Sequence, residues 1–270
     1  MYKNYKVTDA HCHVYPDKIA LAATSNTDRF YNVTSAFDGK ISTLTEQMDK
    51  TGVDRAIIES VATTPKQVAS INRFIASAVA DGGGRLTGLG TLHPDSTDIK
   101  GDIEQIKELG LRGVKLHPDI QQFKIDDYRC LKIYELCEKE GLPILMHTGD
   151  RRYDYSNPNR LVPVAKIYDR LTIIAAHLGG YSMWEGAYEQ LMDVENLYFD
   201  CSSTFNWVNV ATVKKIIRAY GADRVLFGTD YPMWSAETEL EKLFQMELTE
   251  EEYGKILSGN ADRLFTSFQF

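Results

Sequence analysis

The chain has 270 residues, 43% of them hydrophobic, and a formal net charge of −8; this is apolar material for one large core and the wrong sign for gripping a nucleic-acid backbone. No apolar run is long enough to cross a bilayer, and Met1-Tyr-Lys-Asn-Tyr-Lys leads into the first strand without an apolar signal region, so the expectation is a soluble, cytoplasmic protein with neither membrane nor nucleic acid as partner. Four scattered cysteines, Cys12, Cys130, Cys137 and Cys201, make no Cys-x-x-Cys pair and no disulfide framework, which fits a reducing compartment.

The first predicted element is a β-branched and apolar run, residues 7–14, that carries His11 and His13. Residues two apart on a strand share a face, so both imidazoles are within reach of one ion while Cys12 points away. Residues 15–40, with Pro16, Asp28, Arg29, Tyr31 and Gly39, read as a long irregular segment. Because it leaves directly from the histidine pair and carries aromatic and cationic groups, it is expected to be a lid inserted at 15–40. Thr43 and Glu46 have capping-box spacing for a helix that Gly52 stops, and residues 53–60 read as a strand. Pro65 opens a helix with Val68, Ile71, Ile75 and Val79 on one face, and residues 85–93 form the next strand, which ends in His93, a structural or rim residue.

A helix with Ile103, Ile106 and Leu109 precedes the strand that closes in His117. The helix over 127–140 buries Cys130, Ile133, Tyr134 and Cys137 and leads to the strand that ends in His147. A polar loop, residues 150–159, holds Arg151 and Arg152; a helix near 161–169 and a strand ending in His177 follow, the latter backed by Gly179 and Gly180. A helix near 183–193, a strand over 197–203 with Asp200 and Ser202 as candidates to face the interior, a helix over 210–220 and an eighth strand ending in Asp230 complete the series.

Strand then helix recurs eight times within one domain spanning residues 1–270, and most of the strands are near-continuous apolar runs, as expected when both faces of a parallel sheet are buried. The pattern describes a (β/α)8 TIM barrel. A doubly wound open sheet is the rival topology, but no Gly-x-Gly-x-x-Gly turn follows the first strand. Active sites of such barrels gather at the C-terminal strand ends, where His11, His13, His117, His147, His177 and Asp230 all stand. Imidazole and carboxylate suit zinc, and a catalytic site keeps one coordination position open.

The pieces Asp9-Ala-His11-Cys-His13, Gly113-Val-Lys-Leu-His117-Pro118, Leu145-Met-His147-Thr-Gly149, Ala176-His177-Leu-Gly-Gly180, Phe227-Gly-Thr-Asp230-Tyr-Pro232 and Ile256-Leu-Ser-Gly-Asn260-Ala-Asp-Arg-Leu follow one another over nearly the whole chain. Together they resemble the amidohydrolase superfamily, and within it the amidohydrolase-related branch that is similar to aminocarboxymuconate-semialdehyde decarboxylase. The resemblance implies a divalent metal, usually zinc, held by His11, His13 and His147 with Asp230, and His177 as a general acid/base. Manganese, iron or cobalt would suit the same ligands. Related binuclear enzymes carry a carboxylated lysine or a glutamate at the end of the fourth strand; here His117 stands there with Lys115 two residues deeper, so a single ion is expected. His117 is a substrate or ligand-supporting contact, with a hydrogen-bonded strand-end histidine as the ordinary alternative. Arg29, Arg151 and Arg152 are candidates to clamp a substrate carboxylate, against solvated arginines as the commoner case. Trp184, Trp207 and Trp234 wall the pocket or pack at the rim.

The reading is of a metal-dependent hydrolase of a small amide, ester or lactone that uses activated water, with Asp230 taking a proton and His177 assisting the leaving group. Non-oxidative decarboxylation of a small unsaturated or aromatic acid on the same site is the alternative, hydration of a double bond is open on this scaffold, and a non-catalytic binding protein is the reading from another class. The partner is a small molecule, a carboxylic acid under the second reading; members of the family often dimerise, and a homodimer is compatible with the sequence.

Overall fold

Apolar runs such as Ala56-Ile-Ile and Ile144-Leu-Met pair in parallel because the connecting helices cover their outer faces. In the computed structural model, which describes residues 1–265, the strands are Thr8–His13, Arg55–Glu59, Leu86–Gly88 continued by Gly90–Thr91, Val114–Leu116, Ile144–Met146, Ile173–Ala175, Leu197–Asp200 and Val225–Leu226. Sequential neighbours pair in parallel throughout. The third strand changes partner at Leu89, whose N–H donates to the Ile58 carbonyl at 2.9 Å while the Gly90 N–H donates to the Gly113 carbonyl at 2.9 Å. The last strand returns to the first: the Ala10 N–H donates to Phe227 O at 2.9 Å and the His13 N–H to Tyr231 O at 2.7 Å. The closed sheet with its outer helices is a (β/α)8 barrel. Residues 266–270, the end of the expected single domain, lie outside the described residues.

One buried cluster, Ala10, Ile57, Leu89, Leu145, Ile174, Ala176 and Leu226, is drawn from the first, second, third, fifth, sixth and eighth strands and is joined by Leu264 and Phe265 of the helix Asn260–Phe265. A far larger one fills the space between sheet and helices and contains Cys12, Cys130, Ile133, Tyr134 and Cys137. Asn260 donates from its amide to the carbonyls of Ala222 at 2.8 Å and Val225 at 2.7 Å, so the C-terminal motif fixes the start of the eighth strand. The four cysteines are buried thiols. No helix of the described residues is long and apolar enough to cross a membrane.

The expectation of an irregular segment over 15–40 is corrected: Asp17–Tyr31 is an α-helix, with Pro16 at its N-cap, Asp17 in its first turn and a left-handed Asn32 closing it. Only Ala20 and Thr24 on it are buried, so it lacks the apolar stripe that betrays a core helix. The next helix, Ile41–Thr51, starts ahead of Thr43, which forms no capping box, and ends as expected at a left-handed Gly52. Strands are shorter than the apolar runs that signal them, because ladder hydrogen bonds stop where the chain turns to present side chains at the mouth.

Candidate metal centre and active site

The first strand is tied to the end of the eighth by one carboxylate. Asp9 Oδ1 accepts from the Thr229 N–H at 2.9 Å and the His11 N–H at 3.2 Å, and its Oδ2 accepts from the Thr229 hydroxyl at 2.6 Å. The strand's register against its neighbour shifts between Asp9 and Cys12, a bulge of the kind that re-aims side chains. These constraints set His11, His13 and Asp230 against one another. His11 Nε2 lies 3.3 Å from His13 Nε2 and 3.4 Å from Asp230 Oδ1, and His13 Nε2 lies 3.5 Å from the same oxygen. Ligands standing about 2.0–2.2 Å from a tetrahedral ion are separated by about 3.4 Å, so this triangle has the size of one face of such a shell.

The protonation pattern also fits an ion. His11 Nδ1 donates to Asp200 Oδ2 at 3.0 Å, which leaves the lone pair on Nε2; it accepts from Lys115 Nζ at 2.7 Å, a contact that a bound ion would displace. Burial raises Asp200, but His11, His177 and the Ser202 hydroxyl outweigh it and hold the carboxyl below its ordinary value. Burial, then the Lys115 ammonium and the His11 and His177 rings, keep His13 neutral far below pH 6.5. Asp230 is raised by burial yet ends lower through His11, His177 and the Ser203 hydroxyl, which donates to Oδ2 at 2.5 Å. Asp230 and His177 both sit at positive φ, 62° and 60°, a backbone cost typical of functional positions.

A second buried carboxylate, missed in the sequence, faces the triangle. Glu59 ends the second strand, is fully buried, and has no hydrogen-bond partner on either oxygen among the described residues; Oε1 lies 3.6 Å from His11 Nε2. Burial pushes its carboxyl up to about 8, against the pull of His11 and Lys115. Its signal was present: a charged residue closing the apolar run Ala56-Ile-Ile-Glu59, as His117 and His147 close theirs.

The imidazoles expected to share the site are linked, the His11 and His177 rings stacking at 5.2 Å with the Ser202 hydroxyl 3.1 Å from His11 Nδ1. His177 Nδ1 contacts the Ser202 carbonyl at 3.1 Å and its hydroxyl at 2.9 Å; because that hydroxyl donates to Asp200, His177 carries its proton on Nδ1 and leaves Nε2 open. Nε2 meets His147 Nδ1 at 3.0 Å. Burial holds His177 down to about 4 and His147 well below its ordinary value. The His147 ring stacks on His117 at 4.1 Å and donates its Nε2–H to Gly149 O at 2.9 Å, with Tyr31 Oη 3.5 Å away, so the neutral ring turns its Nδ1 lone pair toward the open Nε2 of His177, as a metal-ligating histidine does. Gly149, at φ +88°, permits this; a Cβ there would stand 2.7 Å from the Gly180 carbonyl carbon.

Tyr31, at the end of the first helix, is the other residue whose role the sequence did not disclose. His117 Nδ1 accepts from the Ile120 N–H at 3.3 Å, so its proton is on Nε2 and is donated to Tyr31 Oη at 2.7 Å. The phenol keeps its own proton, burial followed by Asp119 and Asp230 raising it well above 10, and can donate it onward. His117 is thus a support for Tyr31.

A cavity of about 630 Å³ opens above these groups. Its polar floor is His13, His117, His147, His177, Tyr31 and Asp230, and apolar walls rise from Ile19, Phe30, Ile71, Phe74, Ile120 and Met233. None of the three arginines expected to clamp a carboxylate lines it. Arg29 donates to Ser25 O at 3.2 Å and Asn26 Oδ1 at 2.6 Å on its own helix. Arg151 is held by the Ser182 carbonyl at 2.8 Å, and Arg152 is paired with buried Asp150 at 2.7 Å while it also bonds Phe30 O and lies 4.9 Å from the Phe30 ring. Backbone carbonyls and Asp150 satisfy these guanidinium groups before a substrate could. Trp184 donates to His177 O at 2.9 Å and Trp234 to Ser203 Oγ at 2.8 Å, so both brace the site from behind, and Trp207 is exposed. His93 lies outside the cavity lining and accepts from the Asp95 N–H at 3.2 Å.

Residues 8–266 match the family model described as Amidohydrolase. The fold is similar to that of an uncharacterized TIM-barrel protein from Bordetella bronchiseptica, at 22% identity over 96% of this chain and 98% of that one, with a TM-score of 0.78. It is also similar to a dihydroxybenzoic acid decarboxylase from Polaromonas with bound manganese, at 17% identity over 97% of each chain and a TM-score of 0.71. A third similar structure is a 5-carboxyvanillate decarboxylase from Sphingomonas paucimobilis, 17% identical over 97% of this chain and 99% of that one, TM-score 0.72. At these identities the likeness is one of fold.

Proposed function

The chain belongs to the amidohydrolase family, and from that premise we propose that it is a metal-dependent hydrolase of a small neutral amide, ester or lactone. The observation that carries this reading is the His11, His13 and Asp230 triangle, whose 3.3, 3.4 and 3.5 Å edges suit one zinc or manganese ion. When bound, such an ion supplies Lewis-acid polarisation of a substrate oxygen and acidification of water. The protein does the rest. Asp230 takes a proton from the attacking water, and His177, neutral at pH 7, relays a proton to the leaving group from Nε2; an imidazole held down to about 4 gives up a proton readily once it has one. Tyr31, held by His117, donates its hydroxyl to the substrate oxygen that gains charge. The first helix acts as the lid, with apolar Ile19 and Phe30 excluding water from the cavity.

Neutrality of the substrate is argued from the lining: its cationic side chain is Lys18, beside polar Asn26, Thr63 and Gln67 and many apolar groups, with the nearby arginines committed elsewhere. The similarity in fold to two decarboxylases favours a second reading, loss of carbon dioxide from an aromatic acid, in which His177 would protonate the carbon that loses it. Metal-loaded protein assayed on a panel of esters, lactones and amides, and in parallel on aromatic acids with carbon dioxide release followed, separates the two. Turnover of the first panel without carbon dioxide is the expected result; carbon dioxide release from an acid would replace the hydrolase reading with the second.

A further inference from the structure

The polar floor accounts for only part of the cavity. At about 630 Å³ the space matches sites that bury a whole drug-sized molecule, far more than a bare ester, amide or lactone group fills. The surplus lies along two helices. Ile19, Ala23, Thr27 and Phe30 recur at helical spacing on the helix Asp17–Tyr31, and Gln67, Ser70, Ile71 and Phe74 do so on the helix Val68–Asp81 and the residue before it. Such spacing puts each set on one helix face, so the two faces line the same space. The first helix packs through buried Ala20 and Thr24, whereas Ile19 in the lining stays 46% exposed. With Phe30, Ile71 and Phe74 it makes an apolar wall beside a reactive floor, the mark of a ligand groove.

The polar side chains set among these apolar ones are engaged by the protein itself. Thr27 donates to Ala23 O at 3.3 Å and Ser70 to Gln67 O at 2.9 Å, while Gln67 Oε1 accepts the Thr63 and Thr64 N–H groups at 2.8 and 3.1 Å. Lys18 is exposed, so its ammonium keeps its water. A ligand group lying along this wall therefore gains by burying apolar area more than by forming hydrogen bonds. Its shape follows from the spread of the wall. Ile19 and Phe30 are eleven residues apart, about 16 Å along a helix at 1.5 Å per residue, so one ring covers a fraction of the wall and a chain can follow it.

We propose that the substrate carries an unbranched apolar acyl or alkyl tail, which lies along the faces of these two helices while its small ester, amide or lactone head meets the floor. The inference deepens the hydrolase reading of the preceding subsection and rests on it for the head. Ile19, Ile71 and Phe74 are then specificity-determining residues that act on the tail.

Ligand binding tests this without turnover. Zinc-loaded protein is titrated in a calorimeter with acetohydroxamate, hexanohydroxamate, octanohydroxamate and benzohydroxamate, whose common head chelates a metal ion, for the wild type, Ile19→Asn and Ile71→Asn. Both isoleucines are partly exposed, so neither change empties the core. The expected wild-type affinity rises about two- to fourfold per methylene, roughly fourfold being the limit of full burial, and octanohydroxamate binds most tightly. Each variant is expected to weaken octanohydroxamate by about fivefold to tenfold and to leave acetohydroxamate unchanged. A flat series from acetohydroxamate to octanohydroxamate, or benzohydroxamate as the tightest ligand, would overturn the tail, and binding of acetohydroxamate would then leave the metal-dependent reading standing. A wild type that binds none of these compounds would overturn both. An undiminished chain-length dependence in both variants would overturn the assignment of the tail to these two helices. Should a variant fail to fold, the wild-type series decides.

Discussion

The floor of the cavity and its roof are built on different principles. On the floor and directly beneath it, His13 and Asp230, with His11 and Glu59 under them, come from strand ends and are fixed by backbone pairing and buried carboxylates: Asp9 joins the first and eighth strands, and Asp200 sets the tautomer of His11. The roof is a helix with two buried residues, pinned at its C-terminal end by Arg152, which bonds Phe30 O and packs against the rings of Phe30 at 4.9 Å and Tyr31 at 5.1 Å. A cation at a helix C-terminus is favourably placed, but a few surface contacts hold less firmly than a ladder of strands. Under the proposed function, chemistry belongs to the floor and access and selectivity to the roof, with Tyr31 reaching from roof to floor.

Substitutions can break that division, and the largest effect should come from the floor. Asp230→Asn removes the proton acceptor and one corner of the triangle, and is expected to lower kcat/KM by about 10³-fold on any substrate found in the ester and lactone panel. Tyr31→Phe keeps the ring and removes the donor; a loss of roughly 10- to 100-fold, carried mainly in kcat, is expected from steady-state kinetics, in line with a hydrogen bond to a charged group worth about 1.5–3 kcal/mol. Arg152→Lys keeps a charge near Asp150 but loses the planar fork and the stacking, so KM should rise by about threefold to tenfold with kcat nearly unchanged. An equal fall in kcat would show that the roof takes part in the chemistry and would blur the division proposed here.

The smallest effect on activity belongs to Glu239→Gln, away from both regions. Burial raises the Glu239 carboxyl to about 7, although Lys242 and Asn206 pull it down. Between roughly pH 4.3, the unfolded value, and 7, the folded state holds this proton more tightly than the unfolded state, so Glu239 contributes a stability that is lost as pH rises through that window. Denaturant unfolding from pH 4.5 to 8 should show a shallower loss of stability with pH in the variant than in the wild type, with kinetics unchanged.

The two regions also differ in how far the sequence disclosed them. A histidine or aspartate that ends an apolar run is conspicuous, and His11, His13, His117, His147, His177 and Asp230 all stand at the mouth, where barrel topology puts them. Glu59 carries the same signal in a shorter run, but carboxylates also close strands as ordinary surface residues. What neither pattern nor spacing could convey was ring orientation: which nitrogen His177 turns toward His147 depends on Ser202 and Asp200, through a chain of tautomers. The helix Asp17–Tyr31 was hidden for a related reason, since its inner face looks onto a cavity and presents Asn26 and Thr27 where a core helix would present leucines. Likewise the sequence shows the charge of Arg151 and Arg152 but not their partners, Ser182 O and Phe30 O, which belong to backbone that only the folded chain brings near.

The central claim, that one divalent ion is held at the strand-end triangle, is tested most directly by anomalous diffraction from crystals loaded with Mn2+ or Zn2+. The account predicts a single peak about 2.0–2.2 Å from His11 Nε2, His13 Nε2 and an Asp230 oxygen. A peak centred instead beside His147 and Asp119, or none at saturating metal, would contradict it.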